Sequence, residues 1–237
     1  MRIFVDPAAL AAGELIVRGD EHHYLARVRR ARPGDAIELV DGAGRRAAAT
    51  IVRIAAGETT LDAGPPEQIA ARPPFVRALV PLIKGDRMDA CIEKLVEVGA
   101  DAIVVWPAAR SMARLDDARR DARIARYRAI AQAAARQSGR AEIPEVTGAA
   151  GLDAALAGLP EGTRLVLDPT SDATLDATLD GGAAADITVI SGPEGGLAPD
   201  ELDRLTGFTP LGLGPRVLRA ETAPMIAVAL IRAATRS

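Results

Sequence analysis

The chain contains 237 residues with a formal net charge of -3, and 49% of them are hydrophobic. This length and composition allow a sizeable core in one domain or in two unequal ones. The single cysteine, Cys91, excludes an internal disulfide framework, and His22 and His23 could hold a metal only with distant carboxylates, so we expect no metal. The sequence has no run of 18 apolar residues and no signal-peptide pattern, which predicts a cytoplasmic protein without membrane contact.

The first 70 residues predict a small β-barrel. Short β-prone runs, separated by turn residues, occupy 2–5, 14–19, 36–44, 45–55 and 58–64. One helix interrupts them, with Asp20 as its expected N-cap. The proline-rich stretch 64–74 breaks the periodicity, so we predict a boundary there, with domains at 1–72 and 73–237.

After residue 74 the pattern changes to short apolar strands that alternate with helices. In the helix predicted between Asp86 as cap and Gly99 as stop, the apolar residues that share one face are Met88, Ile92, Leu95 and Val96. Buried strands are predicted at 75–82, 101–107, 164–169, 186–191 and 209–214, and further helices near 116–136, 151–158, 199–206 and 222–235. This alternation is typical of an α/β fold with a mostly parallel sheet and helices on both faces.

Two predicted strands end in glycine-rich loops. The first loop consists of Gly192, Pro193, Glu194, Gly195 and Gly196. The second, at 211–221, combines Gly212 and Gly214 with Arg216, Arg219 and Glu221. Neither loop matches a nucleotide phosphate-binding loop, a dinucleotide fingerprint or a nucleophile elbow. Tight turns would explain the glycines, but glycines also let backbone groups approach a flat ligand closely, and both interpretations stay open.

A helix is predicted to begin directly after the second loop. Thr222 is its expected cap, and Pro224 fits the first turn. Glu221 is favourable beside this helix end, because the free N–H groups there carry partial positive charge. That explanation does not cover Arg219.

At these residues the sequence resembles the ribosomal RNA small subunit methyltransferase E family, a SPOUT-class family that methylates N3 of a uridine in 16S ribosomal RNA with S-adenosylmethionine. The resemblance covers nearly the whole chain. The most specific motifs are ISGPEGGLAPDE at 190–201 and LGLGPRVLRAETA at 211–223. Further similar motifs occupy 2–5, 22–35, 84–100, 109–114 and 137–144. Tyr24 departs from the pattern where a histidine is common, and Arg136 departs from it where a glutamate is usual.

The resemblance implies a PUA-like, RNA-binding β-barrel followed by an α/β methyltransferase domain tied in a trefoil knot. It also implies a homodimer, with S-adenosylmethionine bound at the ends of three strands. The cofactor-binding residues that it implies are Leu167, Asp168, Gly192, Pro193, Glu194, Gly195, Gly196, Leu211, Gly212, Leu213, Gly214, Val217, Leu218, Arg219, Glu221, Thr222 and Ala223.

The chemistry assigns tasks to three charged residues. Methyl transfer from a sulfonium needs alignment and no metal, but uridine N3 carries a proton at neutral pH. A base, or a cation that stabilises the uridinate, is therefore required. Arg219 is the expected cation, and Glu194 and Glu221 are the candidate carboxylates. Each has a structural alternative, because a glutamate can tie loop N–H groups and an arginine can brace two loops.

Two basic segments predict contacts with RNA phosphates, although solvated helix faces would also explain them. Residues 110–140 hold nine arginines against three aspartates, and 27–32 hold four arginines. The expected RNA-binding residues, docked on ribosomal RNA of the 30S subunit, are His23, Arg27, Arg30, Arg32, Lys84, Arg87, Arg110 and Arg140. Two other functions stay open: a non-catalytic RNA-binding module with the same fold, and a nicotinamide-dependent oxidoreductase, which the missing fingerprint disfavours.

Overall fold

The computed structural model of the protein describes residues 1–70, 73–111, 117–179 and 185–235, and of 117 and 118 only the backbone. These residues form two compact units, Met1–Ala71 with Ala135–Ile143 and Arg72–Ala134 with Pro144–Ser237. The domain boundary predicted at 72 and 73 adjoins positions outside the described residues and stays a prediction.

The first unit is built on a curved sheet of six strands. The strands are β1 (Arg2–Phe4), β2 (Gly13–Arg18), β3 (Ala36–Val40), β4 (Arg45–Ala55), β5 (Glu58–Ala63) and β6 (Glu67–Gln68). Their order is β1-β3-β4-β5-β2, with β6 on β4, and every pair except β1 with β3 is antiparallel. Alternate side chains of the strands point inward, so Leu39, Ile51 and Leu61 meet Leu25 in a core. The sheet forms a half-barrel.

The helical segment of the first unit differs from its prediction in one detail. Helix α1 (Gly19–His23) continues directly into a π-helical turn, Tyr24–Val28. Asp20 was predicted as the N-cap, but it lies inside the first turn, and Arg18 precedes the helix. An acidic residue is favourable in either place, because both face the free N–H groups at the helix start.

The second unit contains a parallel sheet. Its strands are β7 (Phe75–Pro81), β8 (Ala102–Trp106), β9 (Glu145–Gly148), β10 (Thr163–Leu167), β11 (Asp186–Ile190) and β12 (Thr209–Leu211). Their order is β12-β10-β11-β7-β8-β9, and all five pairings are parallel. The central strands are largely apolar, as burial on both faces requires, although β7 contains Arg77 and β11 contains the buried Thr188. The predicted α/β class is confirmed, whereas the short edge strand β9 was not predicted.

Six helices accompany this sheet in the described residues. They are α2 (Asp86–Val98), α3 (Asp117–Ser138), α4 (Leu152–Leu156), α5 (Leu175–Leu179), α6 (Pro199–Arg204) and α7 (Thr222–Ala234). Asp86 and Thr222, both predicted as caps, are instead the first residues of their helices, after Gly85 and Glu221. Gly99 ends α2 in the left-handed conformation with φ 107°, as predicted, because glycine adopts that conformation without steric cost.

Helix α7 packs against α2, β7 and β11. Near its end, Arg232 donates from Nε to the Gly99 carbonyl at 2.9 Å and from Nη1 to the Pro74 carbonyl at 2.6 Å, and its Nη2 pairs with Asp101. These bonds fix the end of α7 beside the start of the sheet. Within the described ranges, no helix combines the length and the apolar character that crossing a membrane requires.

Candidate active site

A cavity of about 640 Å³ lies in the second unit, where β10, β11 and β12 end. Since β10 pairs with both β11 and β12 in parallel, the loops that follow all three strands meet at one edge of the sheet. Of the predicted cofactor residues, those that line the cavity are Leu167, Asp168, Gly192, Pro193, Glu194, Gly196, Leu211, Leu213, Gly214, Val217, Leu218, Arg219 and Ala223. The structure thus brings together three segments that are far apart in the sequence.

The predicted set and the lining differ at several positions. Gly195, Gly212, Glu221 and Thr222 were predicted but do not line the cavity. The lining residues that were not predicted are Val166, Pro169, Thr170, Ser191, Leu197, Leu202, Pro210, Arg216 and Ala220. Most of these flank predicted residues directly, so extending each motif by one or two positions would have found them.

The loop after β10 is shaped by Asp168. Its backbone N–H donates to the Leu211 carbonyl at 3.1 Å, which joins this loop to the end of β12. Its Oδ1 accepts hydrogen bonds from the Thr170 N–H at 2.8 Å and from the Thr170 hydroxyl at 2.7 Å. This is the turn that aspartate side chains favour, and it exposes main chain to the cavity.

The loop after β11 is held by residues of another segment. Arg110 donates to the carbonyls of Gly195 and Leu197, both at 3.2 Å. The buried Glu201 accepts from the Ala109 N–H at 2.7 Å and from the Ala198 N–H at 2.8 Å. A Cβ on Gly195 would lie 3.1 Å from the Arg110 Cβ, so this glycine admits Arg110 and does not face the cavity. Arg110, predicted as an RNA contact, therefore also braces the loop.

Gly212 is required by a close contact behind the cavity. Its N–H donates to the Ala173 carbonyl at 3.0 Å, and a Cβ at this position would lie 2.0 Å from the Ser171 carbonyl oxygen. No side chain fits there, because real Cβ atoms do not approach backbone oxygens that closely. Gly212 thus sets the shape of the cavity wall from outside it.

The two candidate carboxylates share one cation. Arg87, in the first turn of α2, places Nη2 3.1 Å from Glu194 Oε1 and Nη1 3.8 Å from Glu221 Oε2. The Glu194 side chain is 26% exposed and the Glu221 side chain 12%. The Cys91 thiol is buried in α2, and this burial, followed by the charge of Glu221, raises its pKa to about 12. Arg87, predicted as an RNA contact, thus faces carboxylates.

Arg219 lines the cavity and differs from Arg87 in having no ion pair. Its side chain is exposed, and it forms no hydrogen bond or salt bridge with any of the described residues. The same holds for Arg216, which also lines the cavity. Both guanidinium groups are therefore available to an anionic ligand.

The remaining basic candidates lie on both units. Lys84 is exposed on the second unit, and His23, Arg27, Arg30 and Arg32 are exposed on the first. Arg30 has a φ of +52°, a conformation that non-glycine residues rarely adopt. Arg140 belongs to the first unit and is only partly exposed.

The two departures from the family pattern have local partners in the first unit. Arg136 pairs with Glu21 at 3.0 Å and stacks 5.5 Å from the centre of the Phe4 ring. Burial raises the pKa of Glu21, and the Arg136 charge opposes that effect. The Tyr24 hydroxyl accepts a hydrogen bond from Arg29 Nε at 2.7 Å. Both residues are therefore accounted for by packing and charge.

The composition of the cavity indicates its ligand class. Leu197, Leu211, Leu213 and Leu218 provide apolar contact, the glycine loops provide backbone, and Glu194 provides negative charge. Such a lining suits a flat, partly apolar molecule whose cationic group lies beside Glu194, whereas Arg216 and Arg219 remain available to an anionic group. In the described parts of the chain, no group of three or more histidine, cysteine, aspartate or glutamate residues is placed to hold a metal ion.

Family models and curated relatives that match this chain are RNA methyltransferases. Residues 72–232 match the family model described as an RNA methyltransferase domain, and residues 17–61 match the one described as an RNA methyltransferase PUA domain. The chain is 36% identical to the ribosomal RNA small subunit methyltransferase E of Mycobacterium bovis, covering 98% of this chain and 90% of that protein. It is 31% identical to the Bacillus subtilis protein of the same name, covering 91% and 88%.

Solved structures give the same result. The ribosomal RNA small subunit methyltransferase E of Neisseria gonorrhoeae, bound to S-adenosylmethionine, matches with a TM-score of 0.82 and 29% identity, covering 98% of this chain and 97% of that one. A Legionella pneumophila protein, also with S-adenosylmethionine bound, matches with a TM-score of 0.80 and 28% identity at the same coverages. The matches confirm the expected fold class, a PUA-like unit followed by an α/β unit.

We predict that Gly212→Ala lowers the free energy of unfolding by about 1–3 kcal/mol, because the added methyl group forces two backbone segments apart. Thermal or urea unfolding measures this difference. Gly151→Ala is the matched control, since Gly151 is extended and a Cβ there meets nothing within 4 Å. Equal stability of the two variants would contradict the close contact.

Proposed function

Because the chain belongs to the ribosomal RNA small subunit methyltransferase E family, we propose that it transfers a methyl group from S-adenosylmethionine to N3 of a uridine in 16S ribosomal RNA. The observation that carries the proposal is the cavity at the ends of β10, β11 and β12. It lies in a fold whose relative with 29% identity binds S-adenosylmethionine.

The residues of the cavity fit this cofactor. Its volume of about 640 Å³ lies inside the range of about 300–1,000 Å³ for small-molecule sites. The apolar side chains of Leu211 and Leu218 suit an adenine ring, and the carboxylate of Glu194 suits a sulfonium cation. When bound, S-adenosylmethionine supplies a methyl group that is already activated, so the protein needs only to align it.

The protein must also make uridine N3 nucleophilic. The N3 proton has to leave, and the anion that results is stabilised by a nearby cation. We assign this task to Arg219, because it lines the cavity and its guanidinium forms no ion pair with the described residues. Of the two carboxylates, Glu194 lines the cavity and Glu221 does not, so Glu194 is the better placed to accept the proton or to hold the methyl donor.

Reaching N3 requires an unstacked uridine, because this atom lies on the pairing edge of the base. Aromatic residues make up only 3% of the chain, so stacking platforms are few and we expect phosphate contacts to dominate. We assign those contacts to exposed basic residues, namely His23, Arg27, Arg30 and Arg32 of the first unit and Lys84 and Arg110 of the second. We infer that the substrate is ribosomal RNA within the 30S subunit and that the protein acts in the cytoplasm.

The proposal is tested by cofactor binding and by the modification itself. Calorimetry with S-adenosylmethionine should give one site per chain, and mass spectrometry of 16S ribosomal RNA from cells lacking the protein should show one N3-methyluridine missing. Binding to RNA without heat from the cofactor would instead support the non-catalytic RNA-binding module. Measurable affinity for NAD would support the oxidoreductase.

We predict that Arg219→Ala lowers kcat by about 10²–10³-fold, because it removes the cation at the developing uridinate. The dissociation constant of S-adenosylmethionine should change less than about threefold, since we expect the glycine loops to bind the cofactor mainly through main-chain groups. Arg204→Ala is the control, because Arg204 is exposed and pairs with Asp200 and Asp153. Parallel losses of cofactor affinity and rate would refute the assignment.

We also propose a homodimer, supported by apolar side chains on α7. Ile226 and Leu230 are 40% and 45% exposed, and they lie one helical turn apart on the same face. Such residues are typical of an interface core. Light scattering should give twice the chain mass, and Leu230→Glu should give the chain mass alone. A wild-type protein that is monomeric at assay concentration would contradict the dimer.

A further inference from the structure

We propose that Arg87 is a positioning residue, which holds Glu194 at the cavity by bridging it to Glu221, and that it is not a ligand of RNA phosphate. The inference rests on the proposed function. It revises the role that the basic character of Arg87 suggests in the sequence.

The geometry places the guanidinium between two carboxylates. The Arg87 Nη2 atom lies 3.1 Å from Glu194 Oε1, which is hydrogen-bond distance, and Nη1 lies 3.8 Å from Glu221 Oε2. Arg87 begins in the first turn of α2, whereas Glu194 follows β11 and Glu221 precedes α7. One side chain therefore links the start of a helix to both loops of the cavity.

The two carboxylates are not equivalent. Glu194 lines the cavity, whereas Glu221 is not among the lining residues and its side chain is only 12% exposed. The Oε2 atom of Glu221 is buried, so this carboxylate lies against the core. Glu221 Oε2 has no hydrogen bond among the described atoms, so its attraction to Arg87 is a longer-range charge interaction. The buried Glu221 thus holds Arg87 in place, and Arg87 in turn holds the Glu194 carboxylate at the cavity.

A planar guanidinium suits this bridge better than an ammonium does. Its N–H groups form a fixed fork that can address two acceptors at once, whereas a lysine ammonium acts as a single point charge. Removing the Arg87 guanidinium would leave the Glu194 and Glu221 carboxylates without a neutralising charge. Glu194 is the more exposed of the two, so its side chain would turn toward solvent. Partly exposed ion pairs contribute little to stability, so the loss should appear in the rate and not in the folding.

The test is a double-mutant cycle on methyl transfer. The variants are Arg87→Gln, Arg87→Lys, Glu194→Gln and the double variant Arg87→Gln with Glu194→Gln. Rates are measured with radiolabelled S-adenosylmethionine and small ribosomal subunits purified from cells that lack the protein. Arg204→Gln is the matched control. Arg204 also contacts two carboxylates, Asp153 at 3.4 Å and Asp200 at 2.7 Å, but it does not line the cavity.

Arg87→Gln should lower kcat about tenfold and leave the KM for subunits within about twofold, since it removes an interaction made at the reaction centre. Arg87→Lys should recover little of this rate. The double variant should be no slower than Glu194→Gln within about twofold, because Arg87 acts through Glu194. The control should retain the wild-type rate.

Three results would overturn the inference alone. If Arg87→Gln raised the KM for subunits and left kcat unchanged, and Arg87→Lys restored the KM, Arg87 would be a phosphate ligand. Losses that multiply in the double variant would show that Arg87 acts independently of Glu194. A lowered melting temperature with equally lowered cofactor affinity, in Arg87→Gln and Arg87→Lys alike, would make Arg87 a structural brace. If the wild-type protein transferred no methyl group to the subunits, the proposed function would be overturned together with the inference.

Discussion

The shape of the cavity depends on a close contact between two main-chain segments, at Gly212 and at Ser171. Gly212 lies so close to the Ser171 carbonyl that a methyl group at its Cα would sit 2.0 Å from the oxygen. The hydrogen bond from the Gly212 N–H to the Ala173 carbonyl fixes this approach. Because backbone atoms meet without an intervening side chain, the wall keeps one shape, which suits a ligand recognised through backbone groups.

Charged residues around the cavity fall into groups with different tasks. Arg110 and Glu201 bond to backbone groups, so they fix where the loop after β11 lies. Arg87 contacts two carboxylates, so it fixes side chains. Arg219 has no such partner in the described part of the chain and faces the cavity. A guanidinium group without an ion pair, next to two that are paired or hydrogen-bonded, fits the proposed stabilisation of a transient anion.

Much of the fold was predictable from local patterns, but contacts between distant residues were not. Apolar runs predicted the central strands, and the glycine at position 99 predicted the end of α2, where it adopts the left-handed conformation. The strand β9 was missed because only Val146 of its four residues is buried, which leaves little apolar signal. The cap predictions failed by one residue at Asp86 and Thr222 and by two at Asp20, because acidic and hydroxyl side chains are favourable both at the cap and in the first turn. Arg87 meets carboxylates more than a hundred residues away, and no spacing rule connects them.

The burial of the Cys91 thiol has a consequence for the reaction of the chain with oxidants. With a pKa of about 12, Cys91 is almost entirely protonated at neutral pH, and oxidants attack the thiolate far more readily than the protonated form. It is also the only sulfhydryl group of the chain. The chain therefore offers peroxide no exposed or acidic sulfhydryl group to oxidise.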